Sequence, residues 1–65
     1  MKIFNISETV NLSIDIIDKL NNFEAKAGTL CEIEFIYENE CLCKFIHSTR
    51  GAFRYKIKNK FIERN

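Results

Sequence analysis

The sequence predicts a mainly β protein built on a three-stranded antiparallel meander over residues 30–58. Three observations carry this. Apolar and polar residues alternate with period two from Leu30 to Lys58, so successive side chains fall on opposite faces of a strand. The alternation is broken at two turn-forming stretches, Glu38-Asn39-Glu40 and Thr49-Arg50-Gly51. The chain has no Pro and is rich in Ile and Phe, which suit a pleated, half-buried surface.

The first strand of the meander reads "LCEIEFIY". Cys31, Ile33, Phe35 and Tyr37 fall on one face, and Glu32, Glu34 and Ile36 on the other. "CLCKFIHS" then alternates again. A three-residue loop, Glu38-Asn39-Glu40, would set Tyr37 opposite Cys41, Phe35 opposite Cys43, Ile33 opposite Phe45 and Cys31 opposite His47. It also places Glu34 against Lys44 as an outer cross-strand ion pair. A two-residue loop would mix the faces.

The third strand follows a second three-residue loop, with Gly51 in the left-handed position such loops require. Phe53, Tyr55 and Ile57 then face inward, opposite His47, Phe45 and Cys43. Arg54, Lys56 and Lys58 face outward. The outer rows become Glu32–Ile46–Arg54, Glu34–Lys44–Lys56 and Ile36–Leu42–Lys58.

The N-terminal third fits two patterns. In "VNLSIDI", Val10, Leu12, Ile14 and Ile16 alternate with Asn11, Ser13 and Asp15, as a strand would. Ile6, Val10, Ile14, Ile17 and Leu20 also form a helical stripe, and Asn5 with Glu8 imitates a capping box. Residues 6–22 are therefore strand or helix, with the β-branched content favouring strand. "NNFEAKAGTL" reads as an irregular excursion returning to the sheet at Gly28, and "NKFIERN" as a short turn and a last strand.

Sixty-five residues make a single small domain, 1–65. MKIFNISETV is too short and polar for a signal-peptide core, and no apolar run reaches the ~18 residues of a membrane span. Three cysteines cannot all pair within one chain. A reduced, cytoplasmic protein with no membrane association is expected. Heavy use of Ile, Asn and Lys, whose codons are AT-rich, points to an AT-rich bacterium or to a phage or plasmid within one.

A strand, a long first loop ending in "AKAGT", a three-stranded meander, a one-turn helix at "NKF" and a closing strand together resemble an SH3-like small β-barrel. "KAGTLCEIEFI" is similar to the Gly-Thr lead-in to the second strand of many small bacterial and phage proteins of this shape. The resemblance covers most of the chain and is architectural. It implies a binding module for nucleic acid or for another protein. The chain has no Trp and no acidic-aromatic first loop, so a proline-rich peptide ligand is not implied.

Cys31, Cys41, Cys43 and His47 are residue types that a zinc site would use. In the expected register Cys43 lies about 13 Å along the sheet from Cys31, too far to share a metal. No metal or cofactor is therefore expected, and the thiols read as small core hydrophobes. Cys41 and Cys43, with Cα atoms ~6.6 Å apart and parallel side chains, are poorly placed for a disulfide. Cys31 opposite His47 would be the only nucleophile–base pair. With no orienting third group, a Cys/His hydrolase-like activity ranks third, and no catalytic residue is assigned.

Charge is unevenly divided. Residues 1–49 carry four Lys against eight Asp and Glu, a net of −4, whereas residues 50–65 carry six Lys and Arg against Glu63, a net of +5. Arg50, Arg54, Lys56, Lys58, Lys60 and Arg64 make a basic stripe whose expected partner is nucleic acid, or a complex that handles it. With no exposed aromatic in that register, such binding would be electrostatic and weakly sequence-specific. The alternative is a phage-type inhibitor or adaptor docking on a host protein through Ile36, Leu42, Lys44 and Ile46 on the outer face. An open sheet edge could also pair two copies as a homodimer.

Overall fold

The structure, a computed structural model, describes residues 3–45 and 53–64. It contains β1 (Thr9–Leu12), β2 (Ile16–Asp18), β3 (Phe23–Ala25), β4 (Leu30–Ile36), β5 (Glu40–Phe45), β6 (Phe53–Lys58), a 3-10 turn (Asn59–Phe61) and β7 (Ile62–Arg64). Five strands form one antiparallel sheet in the order β6-β5-β4-β1-β7, and β2 pairs with β3 as a separate ribbon. The chain is mainly β, and no helix among the described residues is long and apolar enough to cross a membrane.

Residues 6–22 resolve as two short strands, β1 and β2, joined by turns and bends, with no helix. Val10 and Leu12 are buried, and β1 pairs with both β4 and β7, so these side chains meet core from two directions. Asn5 and Glu8 make only half of a capping box, because the Glu8 amide bonds the Asn5 main-chain carbonyl and not its side chain. The Asn5 amide donates to Glu8 Oε1 at 3.0 Å, and the Glu8 amide donates to the Asn5 carbonyl at 3.1 Å. They close a turn, with Ser7 at φ 70°, and no helix follows.

The stretch expected to be irregular, residues 21–30, contributes β3, which pairs with β2 as a hairpin. Asp18 organises its turn, accepting from the Asn21 amide at 3.1 Å and from Asn21 Nδ2 at 2.8 Å, while Asn22 adopts φ 53°. The hairpin delivers Phe23 into the core. Its ring stacks on Tyr55 (centroids 4.3 Å apart) and Phe53 (4.9 Å) and tilts against Phe45 (5.1 Å). Asp18 accepts a hydrogen bond from Tyr55 Oη, tying the ribbon to β6. With Phe23 joining Phe4, Val10, Leu12, Ile33, Phe45, Ile57, Ile62 and three buried thiols, one continuous core results.

The meander is present, but its register differs from the expected one. Ile33 pairs with Cys43, not Phe45, and Phe35 pairs with Leu42, not Cys43. Two steps along β4 between those pairs match one step on β5, so a β-bulge lies at Glu34-Phe35. The connection is also tighter: Tyr37 N donates to the Glu40 carbonyl at 2.8 Å, leaving Glu38-Asn39 as a two-residue turn. The short turn reverses parity and the bulge reverses it back, so Cys31 and Ile33 remain inside. Beyond the bulge parity is inverted, and Phe35 and Tyr37, expected inside, are exposed.

Between β5 and β6 the shift is two residues and the faces survive. Tyr55 pairs with Cys43, Ile57 with Cys41 and Phe53 with Phe45. The expected loop at residues 49–51, including Gly51, lies outside the described residues. The 3-10 turn and closing strand fall where "NKF" and "IER" suggested. Ile62 is fully buried there, and the Phe61 carbonyl accepts from the Ser13 amide at 2.9 Å.

Candidate binding surface

The outer face of the meander carries most of the residues singled out from sequence, in rows that differ from those expected. Glu32, Lys44 and Arg54 share a row; Phe35, Leu42 and Lys56 share the next; Glu40 pairs with Lys58 beyond them. Glu34, displaced by the bulge, reaches across β5. Its carboxylate lies 2.6 Å from Arg54 Nε and 3.8 Å from Lys44 Nζ. The Arg54 hydrogen bond, followed by the charges of Arg54 and Lys44, holds the Glu34 carboxyl below its ordinary range, and the same contact raises Arg54. Arg54, expected in a row with Glu32 and Ile46, is therefore paired with Glu34.

The six cations of the expected stripe are dispersed. Arg54, Lys56 and Lys58 point outward from β6, and Lys60 sits on the 3-10 turn with its ammonium 5.0 Å from the Phe61 ring centroid. Arg64 belongs to β7, at the other end of the strand order. There it lies 2.6 Å from Glu8 Oε2, donates to the Ile3 carbonyl and stands 5.2 Å from the Phe4 ring centroid. Arg64 depresses the Glu8 carboxyl through that hydrogen bond. Arg64 thus clamps the N-terminal segment to the last strand. Arg50 lies outside the described residues.

The expected docking set is also rearranged. Leu42 and Lys44 do face outward from β5. Ile36 does not join them, because the bulge puts it opposite Cys41 on the inner side. Ile46 lies outside the described residues. Phe35 (53% exposed) takes the place beside Leu42, and its ring tilts against Tyr37 (39% exposed) at 5.0 Å. Lys56 Nζ stands 4.8 Å from the Tyr37 centroid, a cation–π contact. The outer apolar cluster is therefore Phe35, Tyr37 and Leu42.

Both aromatics were missed by strict alternation. The trace they leave is "FIY": three consecutive large apolar residues at a strand end cannot all face one side in a period of two.

Around the corner from this face, the N-terminal segment, the β4–β5 turn and the 3-10 turn enclose an open groove of about 750 Å³. Its apolar lining is Ile3, Phe4, Ile36 and Tyr37, and Lys58, Asn59 and Lys60 are among its polar lining. Its walls are joined by main-chain bonding, with the Asn59 amide donating to the Asn39 carbonyl at 2.9 Å.

The thiols lie on the inner face and are all buried. Cys31 and Cys43, expected about 13 Å apart, are instead hydrogen-bonded neighbours, because the true register draws them together. That contact favours the Cys31 thiolate and, with burial, pushes the Cys43 thiol far up. Cys41 Sγ donates to Asn59 Oδ1 at 3.2 Å, and burial raises its thiol as well. Among the described residues no group of three or more His, Cys, Asp or Glu side chains is arranged to hold a metal. His47 lies outside the described residues.

No protein-family model, curated protein or solved structure matches this chain.

Proposed function

We propose that this chain is a small non-catalytic binding module of the SH3-like barrel type that docks on a protein partner through the outer end of its meander. The barrel reading is supported by the strand order, in which β1 pairs with both β4 and β7 while β4 continues into the meander. The docking reading is carried by one observation. Phe35, Tyr37 and Leu42 form an apolar cluster at a sheet surface, rimmed by the Glu34, Lys44, Arg54 and Lys56 charges. Aromatic anchors within a polar rim are the usual anatomy of a protein interface. Fully covering one such aromatic side chain is worth about 1.5–3 kcal/mol.

A second reading, the engagement of nucleic acid, is favoured by Lys56, Lys58 and Lys60. Among the described residues none of the three has a carboxylate within ion-pair distance; Lys56 stands over the exposed Tyr37 ring and Lys60 over the half-buried Phe61 ring. This changes the sequence expectation from purely electrostatic binding to binding assisted by stacking. Against it, Glu34 pairs with Arg54 and Glu8 with Arg64, so two of the six cations of the stripe already have carboxylate partners.

Capture from a bacterial lysate, with and without nuclease, separates the two. Protein docking requires a retained partner after nuclease treatment that is lost on Phe35→Asp or Leu42→Asp in a variant with a wild-type circular dichroism spectrum. Capture abolished by nuclease, or undiminished in both variants, refutes it.

A further inference from the structure

The groove beside the outer face carries one step more. Its apolar lining includes Ile3 (71% exposed) and Ile36 (38% exposed) with the buried Phe4, and Tyr37 belongs both to it and to the outer face. Its polar lining is rich in donors. Lys58 and Lys60 line it, and between them in sequence Asn59, whose Oδ1 accepts from the Cys41 thiol, carries an Nδ2 amide donor. Glu38, at the tip of the β4–β5 turn, is the one carboxylate among the described lining residues. Exposed aliphatic side chains and cationic donors in one groove together call for a ligand with an apolar side chain and several anionic acceptors. At about 750 Å³ the groove falls within the ~300–1,000 Å³ typical of ligand sites.

We infer that this groove receives an extended acidic peptide segment of a protein partner, with an apolar anchor on Ile3 and Ile36 and carboxylates on Lys58 and Lys60. Charge complementarity selects the peptide's sign. The groove offers nucleobases little, because apart from Tyr37 its exposed apolar lining is aliphatic, Ile3 and Ile36. The inference rests on the protein-docking reading and specifies what the partner brings.

The test uses fluorescence anisotropy with a labelled hexapeptide in which a Leu-Phe pair is flanked by two aspartates on each side. Controls replace the aspartates by asparagines or the Leu-Phe pair by serines, and a labelled ten-nucleotide oligothymidylate supplies the nucleic-acid arm. The acidic apolar peptide should bind saturably and about tenfold or more tighter than either control peptide. Lys60→Glu and Ile36→Glu should each weaken it about tenfold, while Lys26→Glu, remote and exposed, should leave it unchanged. Lys60 is exposed on a surface turn, so that variant still reports should Ile36→Glu fail to fold. Absence of saturable binding, equal binding of the serine control, tighter binding of the oligothymidylate, or indifference to Lys60→Glu overturns the inference. Loss of the peptide result alongside nuclease-resistant, Phe35-dependent capture refutes the groove assignment alone. Loss of that capture refutes the docking reading itself.

Discussion

Arg54 Nε lies 2.6 Å from Glu34 Oε2, although the two residues stand on strands separated by β5. The Cα partner of Arg54 is Lys44, and the Cα partner of Lys44 is Glu32. Glu34 reaches over because the bulge removes it from the regular ladder, and it holds both cations at once.

This contact makes the fold acid-sensitive. Glu34, Glu8 and Asp18 all have carboxyls held below their ordinary values, chiefly by Arg54, Arg64 and Tyr55 respectively. A depressed folded-state pKa means the unfolded chain binds more protons, so stability rises with pH across that window. The stabilisation is complete above the unfolded carboxylate range of roughly 3.9–4.3 and is lost as pH falls through the lower folded values. Tm should be level from neutrality to about pH 5 and fall below it. Glu34→Gln should lower Tm slightly at pH 7, flatten the acid limb, and have less effect in high salt.

At the alkaline end the Asp18–Tyr55 contact should dominate. The Tyr55 phenol is held above its ordinary value, first by donating to Asp18, then by burial, then by the Asp18 charge. The stabilisation it contributes is fully present below the unfolded tyrosine value of ~10 and is lost as pH rises through the higher folded value. Absorbance titration should show a tyrosine ionising above the ordinary range. Tyr55→Phe should remove the late transition and lower Tm at neutral pH.

Gly28 should resist substitution for a backbone reason. It sits at φ 88°, its amide donates to the Leu12 carbonyl at 2.8 Å, and a Cβ there would meet no atom within 4 Å. Space is therefore not the obstacle. Gly28→Ala should cost about 1–2 kcal/mol through left-handed strain, read as a lower urea midpoint at unchanged m-value, and Gly28→Asn should cost less.

Ile33 is fully buried at the bulge, where β4 meets both β1 and β5. Ile33→Val should cost about 0.5–1.5 kcal/mol and Ile33→Ala about 2–5 kcal/mol, a large share of what so short a chain can hold. The three buried thiols give a direct readout. Modification by a thiol reagent should be slow in the native protein and markedly faster in Ile33→Ala.

Nuclear Overhauser contacts check the register. Ile33 should show cross-strand contacts to Cys43 and not to Phe45, and Leu42 should show them to Phe35 and Lys56. Contacts linking Ile33 to Phe45 would refute the bulge.

The sequence by itself determined the β class, the three strands of the meander, the turn at "NKF" and the last strand. Those follow from local chemistry: period-two alternation, β-branched residues, and turn formers between them. It also assigned most residues their face. Cys31, Ile33, Cys41, Cys43 and Ile57 are inside, with Leu42, Lys44, Arg54, Lys56 and Lys58 outside. Only the tertiary structure decided the register and hence the surface. A tight Glu38-Asn39 turn and a bulge at Glu34 each reverse parity, and their combined effect leaves the buried pattern of β4 before the bulge intact. Alternation alone cannot detect two reversals that cancel. Between them, however, Phe35 and Tyr37 turn outward and Ile36 turns toward the groove. The same holds for charge. Six cations close in sequence read as one stripe, but strand order sends Arg64 to the far side of the sheet, where Glu8 meets it, and gives Arg54 to Glu34. Which charges remain to meet a partner depends on cross-strand neighbours distant in sequence, and those neighbours exist only once the chain is folded.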